Sequence, residues 1–474
     1  MCRSQTDGGR RCPHTVTHRA SARLRRERGR HPERAEAITR RLDDLYTAKA
    51  QYGPVVTPFE MPLESGIADA LEIARRAGNP LVVGGAVRDA ALGADPKDID
   101  IEVHGTDIER LAQRFKDHGY QVDEVGKQFG VLKVSKKGVV SDLDIAVPRR
   151  ENKVGAGHRG FEVSHDTTMT VAEAAERRDF TVNAMMLDPK LGVLVDPFNG
   201  ADDLKTRTLR HVSDKFAEDP LRVLRGVQMA GRFGMELHPD TAVVCRELRP
   251  AFEELATERV QEEWAKLYTK STRPELAVKA LRDSGWDDTL PGLRVALSDP
   301  QIVNSLARLP KVPVSDRAAL GAALVSRAMS AQNRTVFLET TVVGKDTQTL
   351  ADDLVTSDPV RLATSYDRKV HAHALAKRGF TFERYLTYAE ITGDQQAIHV
   401  ARIAAAEGIG TEPEPPLIQG RDVMAAVGKA RKPGPWVGEL VEEARDKQYR
   451  GEFADREAAH AWLTTTMMEN ADRV

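Results

Sequence analysis

Two aspartates set two residues apart are the residues most able to do chemistry in this chain. Asp98 and Asp100 stand in the run DIDIEV at 98–103. In a strand, residues i and i+2 point to the same face, so the two carboxylates stand side by side while Ile99 and Ile101 face the core. A paired carboxylate face is what hard Mg²⁺ ions need in phosphoryl transfer, where they bridge triphosphate oxygens and lower the pKa of an attacking hydroxyl. Taken alone, such a pair is more often a solvated strand face. The segment LVVGGAVRD at 81–89 shifts the balance, because an apolar strand there ends in Gly84-Gly85 and a helix opens just after. Paired glycines let backbone N–H groups approach a phosphate, and the helix start adds positive potential. Arg88, one turn into that helix, is placed to contact a triphosphate. A third carboxylate comes from Ser141–Ile145, where Asp142 and Asp144 share a face. Asp144 is favoured, since LDIAVPRRE runs straight into a loop. The predicted catalytic set is Asp98, Asp100 and Asp144, with Asp98 and Asp100 as metal ligands.

The elements that must position these groups read as mixed α/β between about 60 and 205. A helix is expected over Glu64–Ala77, a strand over Leu81–Val83, a helix over Val87–Leu92 and a strand over Ile99–Val103. Thr106 can cap a further helix that ends near Gly119. Tyr120–Val125, Gly130–Ser135 and Val139–Val147 follow as strands. Pro148–Asp166, with three glycines and many charges, reads as a mobile loop. Beyond about 205 the apolar spacing turns helical almost throughout, as over Glu218–Phe233, Ala242–Leu255, Thr257–Thr269 and Arg273–Ser284. Pro413, Pro415 and Pro416 mark a linker before a last helical unit.

Composition narrows the class. The 474 residues suffice for two to four packed units, and 41% hydrophobic with 30% charged residues fits an ordinary soluble protein. No apolar run approaches the roughly 18–20 residues that cross a bilayer, so no membrane partner is expected. Three scattered cysteines give no disulfide framework, and a cytoplasmic location is the simplest reading. A net charge of −2 means that any RNA must be held by a local basic surface. The Arg-rich start, poor in large apolar residues, reads as a mobile arm.

These motifs carry a resemblance. GGAVRD followed by DID resembles the signature of the nucleotidyltransferase superfamily that includes DNA polymerase beta. RRDFTVNAM at 177–185, DPFNGADDLKTRTLRHV at 196–212 and EDPLRVLRGVQMAGRFG at 218–234 resemble class II tRNA CCA-adding enzymes and bacterial poly(A) polymerases. RRENKVGAGHRGF at 149–161 matches the loop between the first two family motifs, and IQGRDVMAAVGKARKPGPWVGELVEEA at 418–444 resembles the tail of one bacterial subgroup. The resemblance implies an α+β chain, with a small polymerase-beta-like nucleotidyltransferase head followed by all-helical neck, body and tail. The expected boundaries are a mobile arm at 1–60, head at 61–205, neck at 206–285, body at 286–410 and tail at 411–474. It further implies Mg²⁺ as cofactor, CTP and ATP as substrates in one pocket, and tRNA as the acceptor, without a template. Gly84, Gly85, Arg88, Arg177, Asp219, Arg222 and Arg225 are then the expected nucleotide-binding residues, with Asp179 and Asn183 supporting the sugar. The loop around Gly155, Gly157 and Gly160 is expected to gate the final A addition.

The helix read from Glu218 suggests how the base is chosen. Asp219, Arg222 and Arg225 are spaced three apart and would share a face, with Glu218 fixing Arg222 at i, i+4. Cytosine and adenine both carry an exocyclic amino group beside an unprotonated ring nitrogen. A carboxylate accepts from the first and a guanidinium donates to the second, whereas uracil and guanine present the reverse. One departure is Gln228, where many family members carry Arg. No adjacent His-Asp pair occurs in 270–474, so His371, His373 and His399 read as ordinary histidines and no phosphohydrolase activity is expected. Full CCA addition, a narrower CC-, A- or poly(A)-adding activity and a non-catalytic RNA-binding paralogue all remain open, as does monomer against dimer.

Overall fold

The computed structural model describes residues 32–96, 98–124, 130–153, 161–376, 378–409, 414–427 and 432–469. The chain divides into two compact units, Met1–Asp219 and Pro220–Val474. The sequence reading had placed the head's end near 205.

The first unit is built on a mixed eight-stranded sheet. Its strands are β1 (Val56–Pro58), β2 (Asn79–Val83), β3 (Asp100–His104), β4 (Gln121–Asp123), β5 (Val131–Lys136), β6 (Val140–Ala146), β9 (Met186–Asp188) and β10 (Val193–Val195). Their order is β1-β10-β9-β2-β3-β6-β5-β4. Every joint for which a register is given is antiparallel except β3 against β6, which is parallel. A parallel pair needs a long crossover. Here that crossover runs through a helix, Ile108–Asp117, and the β4–β5 pair. Val82, Ile101, Val103, Leu132, Val134 and Ile145 fill the core on one face of the sheet at zero exposure, and Leu81 is fully buried on the other.

Two expectations change here. Pro32–Tyr52, counted with the arm on its arginines, is a helix, α1. Ala48 on it is fully buried, and Leu45 and Tyr52 pack against a cluster that includes Val56, Leu81 and Val193. Its apolar residues are few but fall on one face, which average composition conceals. Tyr52 also donates to Asp188 at 2.8 Å and accepts from Asn79 at 2.7 Å. With β1 at the sheet's edge, the head takes in residues well before 61; residues 1–31 lie outside those described. The second change concerns Pro148–Asp166. Arg149–Lys153 (β7) and Phe161–His165 (β8) pair antiparallel in a separate two-stranded sheet. Gly155, Gly157 and Gly160 lie outside the described residues.

The second unit is helical. Leu221–Phe233 (α2), closed by Gly234 in the left-handed region, packs on Thr257–Lys270 (α3) and Pro274–Asp283 (α4). Gly231 permits the close approach, since a Cβ there would stand 2.6 Å from Ser271 Oγ and 3.1 Å from Ala277 Cβ. Trp264 packs edge-on against Phe337 and tilted against Tyr268. Trp286, fully buried, donates to the Cys245 carbonyl at 2.8 Å. The last segment has a cluster of its own around Ile418, Val423, Ala444, Ala459 and Leu463.

Candidate active site

The site assembles at the parallel joint. Asp100 on β3 is the register partner of Asp144 on β6, which puts both side chains on one face of adjacent strands. Asp142, two residues earlier, is exposed, and Lys133 reaches both carboxylates at 3.3 Å and 3.6 Å. Asp98 precedes β3 in a bend and is exposed. Neither Asp98 nor Asp100 accepts a hydrogen bond from another described residue, and the Asp144 Oδ1 atom is buried without one. Burial first, then the charges of Asp144 and Asp98, push the Asp100 carboxyl above its ordinary range, against the pull of Arg178.

Crowded carboxylates of this kind, with no hydrogen bond to their side-chain oxygens at Asp98 and Asp100, fit a divalent cation. Among the described residues no three His, Cys, Asp or Glu side chains gather closely enough to hold a metal unaided.

The glycine turn is formed as a strand-end turn. Gly84 has φ 72° and ψ −132°, a conformation that side chains resist, and the seven-residue helix Gly85–Ala91 follows. Arg88 lies against this turn, its NH2 atom 3.4 Å from the position a Cβ on Gly85 would take, but its donors are engaged within the protein. Arg88 is buried; it donates to Asp89 at 2.6 and 2.8 Å and to Asn183 at 2.6 Å. Asn183 in turn donates to Asp179 at 2.9 Å. Arg88 therefore braces the pocket wall from inside. Arg177 is likewise committed, donating to the Arg149 carbonyl at 2.9 Å and pairing with Glu218 at 3.9 Å.

Arg178 is the cation that faces the turn. Its NH1 atom lies 3.0 Å from the position a Cβ on Gly84 would take. Its guanidinium donates no hydrogen bond to another described residue, and its Nε is buried without a partner. Its NH2 atom stands 3.6 Å from Glu102 on β3. Neither Arg178 nor Glu102 is among the site residues expected from sequence. The i+2 spacing from Asp100 was the available signal for Glu102.

The motif DPFNGADDL clamps this region. Asp196 accepts from the Gly200 and Ala201 amides at 2.8 and 2.9 Å, and Asp203 accepts from the Thr181 hydroxyl at 2.7 Å. Gly200 must lack a side chain, because a Cβ would fall 2.1 Å from the Thr181 carbonyl oxygen.

The residues expected to read the base depart from the expected geometry. Asp219 has φ −129° and ψ 98°, extended backbone, and ends a short 3-10 turn at Asp214–Glu218. The helix starts only at Leu221. Pro220 is the cause, since its ring disfavours helical backbone at the residue before it. Asp219 therefore does not share a helix face with Arg222 and Arg225, and Glu218 pairs with Arg177 instead of forming a helical i, i+4 pair. Arg222 and Arg225 do lie three apart on α2, half-buried. Gln228, the departure from the family pattern, is buried with its Oε1 unpartnered.

Outside the site, burial pushes His371 below its usual range, and its Nε2 lies 3.0 Å from Ser357 Oγ. His373 lies against Arg445, and His399 is exposed.

Residues 81–210 match the family model described as the poly A polymerase head domain. Over those residues the chain is similar to that head domain. Directly after the head, residues 234–297 match a second model, the probable RNA and SrmB-binding site of polymerase A. A multifunctional CCA protein of Xanthomonas oryzae pv. oryzae is 40% identical over 227 residues, covering 46% of this chain and 52% of that protein. One from Psychromonas ingrahamii is 39% identical over 209 residues, covering 43% of this chain and 48% of that protein. The chain thus spans about half the length of the relatives it matches. The fold extends further. A Bacillus stearothermophilus CCA-adding enzyme in complex with CTP superposes with TM-score 0.64 at 24% identity, over 87% of this chain and 100% of that one. A Thermotoga maritima CCA-adding enzyme complexed with tRNA gives TM-score 0.59 at 19% identity, over 87% and 99%. The architecture of a mixed-sheet head followed by helices is therefore that of the CCA-adding enzymes. Among the described residues no helix is long and apolar enough to cross a membrane.

Proposed function

We propose that this chain is a template-independent nucleotidyltransferase that adds C, C and A to the 3′ end of tRNA from CTP and ATP in the cytoplasm, releasing pyrophosphate. The observation that carries the reading is the register of Asp100 with Asp144 beside Asp98, next to a glycine turn overhung by Arg178. The names of the matched relatives and the CTP and tRNA complexes of the structural neighbours point the same way.

In this reading the 3′ hydroxyl oxygen forms a bond to the α-phosphorus as the bond from that phosphorus to the pyrophosphate oxygen breaks. Asp98 and Asp100, with Asp144 alongside, would hold Mg²⁺. When bound, the ion neutralises triphosphate charge and lowers the pKa of the hydroxyl. Gly84 leaves room for the triphosphate against the backbone, and Arg178 supplies positive charge to it from the protein side. Arg88, Asn183 and Asp179 keep the wall rigid. Asp219, Arg222 and Arg225 are assigned to the base edge: Asp219 accepts from the amino group common to cytosine and adenine, and an arginine donates to the ring nitrogen.

The test is incubation with tRNAs that end before C74, C75 or A76, with CTP and ATP supplied separately and together. Completion of CCA supports the reading. A product that stops after CC, or A addition alone, replaces it with the narrower activity. Absence of any incorporation with intact tRNA binding replaces it with an RNA-binding role.

A further inference from the structure

We propose that Glu102 is a positioning residue that holds the Arg178 guanidinium over the Gly84 turn, where a nucleotide triphosphate docks. The inference rests on the proposed nucleotidyl transfer and names the group that prepares its phosphate site.

Glu102 lies two residues after Asp100 on β3 and shares its face, while Ile101 and Val103 point into the core. Its side chain is 13% exposed. A buried carboxylate is costly unless it is paired, so its partners reveal its purpose. One oxygen, Oε1, stands 2.9 Å from Nε2 of His104, the next residue on that face. The other, Oε2, stands 3.6 Å from Arg178.

Arg178 needs such an anchor. It follows the 171–175 helix in a turn, and its donors are not used up by the described protein. An arginine side chain without an anchor samples many rotamers and loses that freedom on binding a phosphate. An ion pair beneath it removes part of the loss beforehand and leaves the remaining N–H groups directed at the turn. The 3.6 Å separation provides attraction without consuming those donors in a bidentate pair. His104 stands beside the second carboxylate oxygen, its Nε2 at 2.9 Å, although neither atom makes a hydrogen bond of good geometry.

The test is the affinity for CTP and for ATP, read by calorimetry on the full chain in Mg²⁺ without tRNA. Glu102→Gln is expected to weaken both nucleotides equally, by about tenfold, because the lost element acts on the shared triphosphate. In an Arg178→Ala background the same change is expected to cost less than about twofold, since the residue acts through the missing guanidinium. Glu102→Asp, which keeps the charge on a shorter stem, is expected to fall between wild type and Gln. Equal losses in both backgrounds would assign Glu102 a general structural role and overturn the proposal, as would wild-type affinity in Glu102→Gln. If Glu102→Gln does not fold, Arg178→Lys carries the test: unchanged CTP affinity there overturns the proposal, and a loss near tenfold supports it. Nucleotide addition to tRNA by the unaltered chain tests the proposed function separately, so the two ideas can fail independently.

Discussion

Replacing Asp100 by Asn should raise stability and abolish activity together. Adjacent strands lie about 4.8 Å apart, so register-paired carboxylates on one face stand about 6 Å apart or less. Two unit charges at about 6 Å interact by about 3 kcal/mol at an effective dielectric of 20. Solvent reaches Asp100, and Arg178 opposes the repulsion, so about 1 kcal/mol is the net expectation. For a unit the size of the head that corresponds to about 2–4 °C in Tm. The sign follows from the raised carboxyl pKa of Asp100 in the folded chain. Ionised Asp100 costs stability above that pKa, and the cost disappears as pH falls through it, because protonation then does what Asn does. The variant should therefore melt higher than wild type at pH 7 in EDTA, and the gap should close toward acid. Saturating Mg²⁺ should also close it by relieving the repulsion in wild type. Nucleotide incorporation should fall by about 10³ or more if this carboxylate holds the catalytic ion. The assays are calorimetric melting with and without Mg²⁺, and labelled CTP addition. A variant that melts at or below wild type in EDTA would refute the repulsion argument. One that keeps a tenth of wild-type turnover would refute the site.

Gly66→Ala should cost about 1–3 kcal/mol in urea unfolding, because the methyl group would stand 2.0 Å from the Val139 carbonyl oxygen; wild-type stability would show that the β5–β6 turn yields freely. Asp219→Ala should reduce discrimination against UTP and GTP more than it weakens triphosphate binding, and equal losses for all four nucleotides in competition assays would remove it from base reading. Asp166 accepts from the Thr168 hydroxyl and amide and from Arg150, which bring its carboxyl down to about 2. Its brace on the foot of the β7–β8 hairpin is therefore present above the ordinary Asp range and should be lost only as pH falls through about 2. Carboxyl NMR titration of Asp166 checks this, and a midpoint near 4 would contradict the brace.

Much of the head was legible because its signals are local. Alternation marks β3 and β6, the glycine pair marks the turn after β2, and helical spacing marks the second unit; each depends only on residues near in sequence. The Asp98/Asp100 pair stood out in the sequence for the same reason, although only Asp100 lies on β3 and Asp98 sits in the bend before it. Local rules also held information that spacing alone missed. The proline after Asp219 already breaks the helix that a three-residue period suggested.

Other features required tertiary structure because they depend on which distant segments meet. Composition made an arm of α1, yet the few apolar residues on one of its faces find a cluster formed by β1, β2 and β10. Placing Asp144, already favoured from sequence, directly beside Asp100 required the register of β6 on β3. The arginines diverged most. Arg88, Arg177 and Arg178 have the same charge and similar reach, and sequence cannot rank them, because a guanidinium's role depends on which acceptors already occupy it. Asn183 and Asp89 take Arg88, and the Arg149 carbonyl and Glu218 take Arg177. Arg178, held at one side by Glu102, is left with donors facing the glycine turn.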